Sequence, residues 1–238
     1  MATLYGANVV RDGLVLHLDA ANPKSYPGSG ATWFDLSGNG KDATLYNGVT
    51  ISNGASEQQY STAVYEGGND FVRVDDYSVA ATPAPLTYTC WVNFFSEGRD
   101  TAQQTMNLMG PAGTSATGAG MALGILNDER LWGIVYDSSG NQYQLRNTSG
   151  EILQADTWYM ASMTHDGSTA SLYLNNKLYH QVSLDGYLPY TTQNFTIGLN
   201  RIYFHFGGYM SDVKVYNKAL SLSEIQQNFN ATRGRFGI

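Results

Sequence analysis

The sequence has little cysteine and no long apolar run. Cys90 is the only cysteine among 238 residues, so no intrachain disulfide can form. Its neighbours, Leu-Thr-Tyr-Thr on one side and Trp-Val-Asn-Phe on the other, favour a small buried side chain over a reactive thiol. No apolar segment approaches the roughly 20 residues that a membrane-spanning helix needs. The sequence therefore predicts neither a disulfide scaffold nor membrane insertion.

Basic charge is also scarce. The formal net charge is -7, the isoelectric point is near 4.9, and no two Lys or Arg residues are adjacent. This pattern provides no basic surface for a phosphate backbone, so nucleic acid is excluded as an expected partner. Arg11, Asp12 and His17 interrupt the first apolar residues, and no basic segment precedes them. We therefore expect a soluble protein without a secretory signal, which reaches an extracellular setting by assembly or lysis.

Glycine and tyrosine are abundant instead. The chain has 26 Gly and 17 Tyr, and only 14% of its residues are charged, against about 25% in an average globular protein. This composition is typical of many short strands joined by tight turns. Because all-β sandwiches of this length commonly form one unit, residues 1–238 are predicted to form a single domain.

The stretch from Thr157 to Ser183 gives the strongest local pattern. Asp166-Gly167 and Asn175-Asn176 are residue types that tolerate the positive φ of hairpin turns, and each pair separates two segments rich in Tyr, Leu, Val and Met. The stretch therefore predicts three consecutive antiparallel strands. Further strands are predicted at Leu14–Leu18, Ala43–Leu45, Ala63–Glu66, Asp70–Asp75, Leu86–Phe95, Thr105–Met109, Met121–Leu126, Arg130–Tyr136, Gln142–Arg146, Phe195–Leu199 and Gly208–Tyr216.

One helix is predicted near the C-terminus. Ser221 stands three residues before Glu224, as in a capping box, and Leu220 with Ile225 makes a hydrophobic staple. The helix should run from about Leu222 to Asn230.

The order of Trp158, an alternating strand, Asp-Gly, a second strand and an Asn-rich turn resembles the core hairpins of the laminin-G and pentraxin group. The opening block from Gly13 to Gly40 resembles laminin-G-like domains of tailed-bacteriophage virion proteins. The segment from Ser211 to Phe229 resembles the closing strand and short helix of the family, and the ending from Asn230 to Gly237 again resembles the phage virion members. The resemblance implies an all-β, concanavalin A-like jelly-roll sandwich of two antiparallel sheets with one short C-terminal helix.

The residues give no support for catalysis. Glycosidases of this sandwich class use paired carboxylates, usually from one strand. The glutamates are scattered, the four histidines lack metal-ligand spacing, and no Gly-x-Ser-x-Gly elbow occurs. We therefore predict no catalytic residue, no cofactor and no enzymatic activity.

Calcium is an open alternative, since many laminin-G-like domains bind one ion at the rim of the sandwich. Asp70 and Asp212 lie in the segments that best match the family and are the candidate metal ligands. The competing interpretation is that Asp212 pairs with Lys214 on a solvated face.

Glycan or partner contacts would use exposed aromatic side chains. Tyr26, Tyr187 and Tyr190 are the candidates, because they lie in predicted connections. The competing interpretation is that tyrosines of a β protein serve packing.

The leading functional hypothesis is a non-enzymatic virion structural protein of a tailed bacteriophage, in the head decoration, a fibre or the tail, exposed on the particle surface. Its expected partners are other virion proteins, bound through edge strands and the connections Pro23–Thr32 and Gly110–Gly120, and further copies of itself. The alternative is a lectin-like module that recognises host surface glycans.

Overall fold

A computed structural model of the protein describes residues 8–51, 58–59, 70–74, 85–95, 105–111, 120–136, 141–146, 151–185, 194–199 and 206–238. Within these ranges the strands form two antiparallel sheets. The predicted strand at Ala63–Glu66 lies outside the described residues, as do Tyr187 and Tyr190.

One sheet, which we call the helix-side sheet, has the order β14-β13-β12-β7-β16-β5-β4, and β1 also pairs with β16. Its strands are β1 (Leu14–Leu18), β4 (Thr50–Ile51), β5 (Gln58–Gln59), β7 (Leu86–Phe94), β12 (Tyr159–His165), β13 (Thr169–Leu174), β14 (Lys177–Ser183) and β16 (Gly208–Tyr216).

The other sheet, which we call the opposite sheet, has the order β11-β10-β9-β8-β15-β6-β3-β2. Its strands are β2 (Thr32–Trp33), β3 (Ala43–Tyr46), β6 (Phe71–Val74), β8 (Thr105–Pro111), β9 (Met121–Leu126), β10 (Leu131–Tyr136), β11 (Gln142–Arg146) and β15 (Phe195–Ile197).

The strand β7 lies near the middle of the helix-side sheet, and all its residues are buried. Tyr88, Cys90 and Val92 point into the main core between the sheets. Trp91 points the other way, into a second apolar cluster on the outer face of the same sheet. Because apolar residues fall on both faces of this predicted strand, the sequence indicated a central strand that is covered on each side, and the structure confirms it.

The outer face of the helix-side sheet is covered by α1 (Leu222–Thr232) and the 3₁₀ helix Arg233–Arg235. The predicted capping box is present, since Ser221 Oγ accepts from Glu224 N, and Ser221 N donates to Glu224 Oε2 at 2.8 Å. Trp91 stacks on Phe236 with ring centroids 4.2 Å apart and donates from Nε1 to Thr232 Oγ1 at 2.8 Å. The C-terminal segment thus closes over the central strand.

The predicted hairpins between Thr157 and Ser183 are also present. Gly167 and Asn175 have φ of 97° and 56°, in the left-handed region that these turns require. Asn175 also accepts from Met160 N at 2.9 Å, so its side chain ties the turn to β12.

The turn after β2 gives a structural reason for part of the block from Gly13 to Gly40. Asp35 Oδ1 accepts from His17 N at 2.9 Å and from Ser37 N at 2.8 Å, and Ser37 Oγ donates to Val15 O at 3.1 Å. The block therefore fastens a polar turn to β1, which is a structural role.

These two antiparallel sheets with one short C-terminal helix in the described residues confirm the predicted concanavalin A-like jelly roll. That residues 1–238 form a single domain remains a prediction. In the part of the chain that the structure describes, no helix is both long enough and apolar enough to span a bilayer.

We expect Gly208→Ala to lower the free energy of unfolding by at least about 2 kcal/mol, measured by urea denaturation. Gly208 has φ of 152°, and an added Cβ would clash with Asn93 O and lie 2.7 Å from Phe94 Cα. The control is Gly234→Ala, because nothing lies within 4 Å of a Cβ there. The control should change stability by no more than about 0.5 kcal/mol. Equal stabilities for the two variants would contradict the observed packing of β16 against β7.

Candidate functional site

The predicted metal ligand Asp212 lies in a buried ionic group. It has φ of 51° at a register shift in β16, and its side chain is 2% exposed. Its carboxylate forms an ion pair with Lys214, also buried, and its Oδ1 lies 3.0 Å from His17 Nε2. Burial by itself would raise the pKa of Asp212, but the Lys214 ammonium and the His17 hydrogen bond hold this pKa well below its usual range. The expected pairing with Lys214 is correct, but both residues are buried, so the solvated face was wrong.

Asp19 lies beside this group. Arg235 binds its carboxylate with both terminal nitrogens, at 2.7 and 3.1 Å. One possible metal-ligating atom from each of His17, Asp19 and Asp212 lies within 4.8 Å of the other two. The sequence analysis did not bring these residues together, because Asp212 is distant from the other two in the chain and no local spacing records a β1–β16 pair.

This arrangement is better suited to a structural role than to catalysis or metal binding. Lys214 and Arg235 already neutralise the two carboxylates, so a cation would have to displace both. Both carboxylates are also engaged already, Asp19 by Arg235 and Asp212 by Lys214 and His17, so neither is free to act as a general acid or base. We assign the group to holding β1, β16 and the C-terminus together.

The second predicted ligand, Asp70, has different partners. It immediately precedes β6 in the opposite sheet, and its Oδ1 accepts from Gly48 N at 2.7 Å. The structure thus places the two predicted calcium ligands on different sheets, and they share no bonding partner among the described residues. Calcium binding by this pair stays a prediction.

Tyr26 lies in the connection between β1 and β2. Its hydroxyl donates to Gly30 O at 3.1 Å, and its ring packs partly against the main core. The side chain therefore closes its own loop. For Tyr187 and Tyr190, which lie outside the described residues, the predicted contact role stays a prediction.

A different set of side chains forms a row across the outer face of the opposite sheet. Arg146 in β11 pairs with Trp132 in β10, Trp132 pairs with Gly124 in β9, and Gly124 pairs with Asn107 in β8. Because the strands are spaced by about 4.8 Å, the row spans about 14 Å. We call these four residues the Arg146–Asn107 row.

The centre of the row carries no bulky side chain. A Cβ on Gly124 would lie 2.7 Å from Met106 O and 3.3 Å from Trp132 Cε3, so glycine lets the indole lie close to the sheet. One step along the strands, a Cβ on Gly110 would lie 3.0 Å from Ala122 Cβ. Small residues thus form the floor beside a partly exposed tryptophan.

Asn107 is the unusual member of the row. Its side chain is 2% exposed, yet neither its Oδ1 nor its Nδ2 has a hydrogen-bond partner among the described residues. A buried amide that makes no hydrogen bond costs free energy, on the order of 1–3 kcal/mol. The amide therefore carries a donor and an acceptor that no described residue satisfies.

Arg146 closes the other end. Its Nη2 lies 3.1 Å from Asp128 Oδ2, and Arg130 Nη1 lies 3.2 Å from the same oxygen. The Arg146 side chain is 46% exposed. Two guanidinium groups thus share one carboxylate at the exposed end of the row.

Sequence analysis missed this row. The strands were predicted, but the alignment of β8, β9, β10 and β11 depends on their register, including the shift between Asn107 and Met109. The one available signal was Gly124, because a glycine inside a strand often marks a close approach.

A family model described as the concanavalin A-like lectin/glucanases superfamily, a laminin G model, matches residues 66–226. The chain belongs to this family. The predicted laminin-G-like resemblance is therefore confirmed at family level, whereas nothing in the match indicates a phage origin. A comparison with curated protein sequences found no significant match.

Solved structures with the same laminin G-type fold include the botulinum neurotoxin serotype D binding domain, with a TM-score of 0.67 and 14% identity. A second is the binding domain of botulinum neurotoxin DC in complex with SialylT, at 0.66 and 14%. A third is the serotype D ligand binding domain in complex with N-acetylneuraminic acid, at 0.67 and 16%. They cover 92–93% of this chain, and it spans about half of theirs, 51–52%. At these identities the likeness shows the fold alone.

We expect Asp212→Asn to lower the free energy of unfolding by about 3 kcal/mol at pH 7, because it leaves the buried Lys214 without its counter-ion. Since the pKa of Asp212 is lowered in the folded state, the wild-type advantage is complete above the unfolded value, about 3.9. It should shrink as the pH falls below about 4. Chemical denaturation from pH 7 to pH 3 measures this difference.

The matched control is Asp185→Asn, because Asp185 is exposed. The control should stay close to wild type across the same pH range. A deficit of Asp212→Asn that is constant with pH would contradict the charged pair.

Proposed function

We propose that the chain is a carbohydrate-recognition domain without catalytic activity, and that its ligand lies across the Arg146–Asn107 row. The observation that carries the proposal is the buried Asn107 side chain, whose amide has no hydrogen-bond partner among the described residues. The free-energy cost of burying an amide without hydrogen bonds is offset when a ligand supplies the missing hydrogen-bond partners.

The chemistry of the row suits a sugar. A sugar ring has an apolar face of C–H groups and a rim of hydroxyls, each of which can both donate and accept. Trp132 offers an aromatic surface for the apolar face, and Asn107 offers a donor and an acceptor for hydroxyls. Gly124 lies between them and adds no side chain to that space. The length of about 14 Å favours a short oligosaccharide over a single sugar.

Family membership agrees with the carbohydrate part of this proposal, since the family description names lectins and glucanases. Absence of catalysis is supported by the opposite sheet itself. Its described strands contain no Asp or Glu, so the row lacks the carboxylate pair of glycoside hydrolysis.

We expect Asn107→Leu to abolish glycan binding while leaving the protein at least as stable as wild type. Leucine has a similar volume and removes the buried amide that makes no hydrogen bond. Glycan-array screening followed by isothermal titration measures binding, and urea denaturation measures stability. Trp132→Ala should weaken binding at least about tenfold through loss of the aromatic surface.

Phe34→Ala is the control, because Phe34 is an exposed aromatic residue, 40% accessible, at the end of β2. It should bind like wild type. Unchanged binding in Asn107→Leu and Trp132→Ala would remove the row from the proposal.

A second candidate, compatible with the first, is a structural protein on the surface of a tailed-bacteriophage particle, in the head decoration, a fibre or the tail. It is favoured by the opening block Gly13–Gly40 and the ending Asn230–Gly237, which resemble virion domains and are joined in space by the contact of Arg235 with Asp19. Other virion proteins and further copies of the chain would then be its partners.

The virion proposal is tested by mass spectrometry of gradient-purified phage particles from the source of this sequence. We expect the chain to copurify with the particles at a constant ratio to the major capsid protein, and light scattering to find an oligomer. A chain that stays in the soluble fraction as a monomer would contradict this location.

A further inference from the structure

We infer that the glycan recognised by the Arg146–Asn107 row is acidic, with a carboxylate that pairs with Arg146. This inference rests on the proposed function and adds the chemical class of the ligand.

Charge is segregated on the opposite sheet. The whole chain has a net charge of -7. In the eight described strands of this sheet, however, the charged residues are Arg73 and Arg146, and neither Asp nor Glu occurs. Acidic residues occur in the adjoining segments, where Asp70 precedes β6 and Asp128 and Glu129 precede Arg130 at the start of β10. The strands of this sheet therefore carry positive charge alone on an acidic protein, which favours an anion over a cation.

The arginines differ in how far they are engaged. Arg73 lies over the Tyr46 ring, 4.5 Å from its centroid, and also contacts the Tyr46 hydroxyl. Arg130 is only 19% exposed. Arg146 is 46% exposed and its described ion pair with Asp128 uses Nη2 alone. Because a guanidinium has five N–H donors, Arg146 can hold Asp128 and a second carboxylate together.

The local charge count supports a second carboxylate. Asp128 Oδ2 receives both Arg130 and Arg146, so two positive charges face one negative charge. A ligand carboxylate would bring this group to neutrality. Its oxygens could accept two parallel hydrogen bonds from the guanidinium, which makes the contact selective for a planar anion.

The relative positions of Arg146 and Trp132 also suit an acidic sugar. Arg146 and Trp132 are direct cross-strand partners, so their Cβ atoms are about 5 Å apart. A sugar ring stacked on Trp132 therefore presents a ring substituent to Arg146, while the next sugar along the row reaches Asn107. An acidic sugar at one end and hydroxyl groups at the other match the two ends of the row.

The experiment compares matched pairs of oligosaccharides that differ only in charge, each an acid and its methyl ester. The probes are oligogalacturonates, glucuronate-containing oligosaccharides and sialylated oligosaccharides, and binding is measured by titration with wild type, Arg146→Gln and Arg11→Gln. Arg11 is an exposed arginine outside the row and supplies the charge-matched control.

We expect wild type and Arg11→Gln to bind at least one acid about tenfold or more tightly than its ester. Arg146→Gln should lose this preference yet retain the weaker binding of the ester. Arg146→Lys should recover only part of the preference for the acid, because lysine cannot form two parallel hydrogen bonds to a carboxylate. Equal affinity for acid and ester in wild type would overturn the inference and leave the proposed function standing. Binding of no glycan, acidic or neutral, would overturn both.

Discussion

The burial of β7 on both of its faces is the constraint on which the rest of the structure depends. Side chains on one face fill the core between the sheets. The other face carries Trp91, which would be exposed to water if nothing packed against it. Burying that indole requires α1 and Phe236 to pack on the helix-side sheet. This face of the sandwich is therefore occupied by the chain itself. The Arg146–Asn107 row lies on the outer face of the opposite sheet, where Trp132 is partly exposed and the Arg146 side chain is 46% exposed.

The two ends of the chain are brought together by electrostatics as well as by packing. Asp212 and Lys214 on β16 pair with each other, Asp212 also meets His17 on β1, and Arg235 binds Asp19 just beyond β1. Buried pairs of this kind add little net stability compared with apolar residues, but breaking one leaves an uncompensated charge. The group therefore fixes which segments meet, and the same carboxylates are poorly placed to bind a cation.

Local patterns in the sequence predicted the strands, turns and helix, and the family resemblance predicted the jelly roll, but neither could locate the site. The hairpin turns at Gly167 and Asn175, the cap at Ser221 and the two-sided β7 each depend on neighbours in the chain. The Arg146–Asn107 row depends on register between four strands, and the β8 irregularity beside Asn107 has no sequence signature. The burial of Asp212 was missed for the same reason, since its partner His17 is far away in sequence.

The most direct test of the account is to follow the Asn107 side-chain amide and the Trp132 indole N–H by nuclear magnetic resonance while an acidic oligosaccharide is added. The account predicts that both signals shift together and saturate at one affinity, with the Asn107 amide protons gaining protection from solvent exchange. Signals from Trp91, buried under the C-terminal segment, should stay unchanged. Saturable binding that leaves the Asn107 and Trp132 signals unmoved would contradict the claim that this face recognises the ligand.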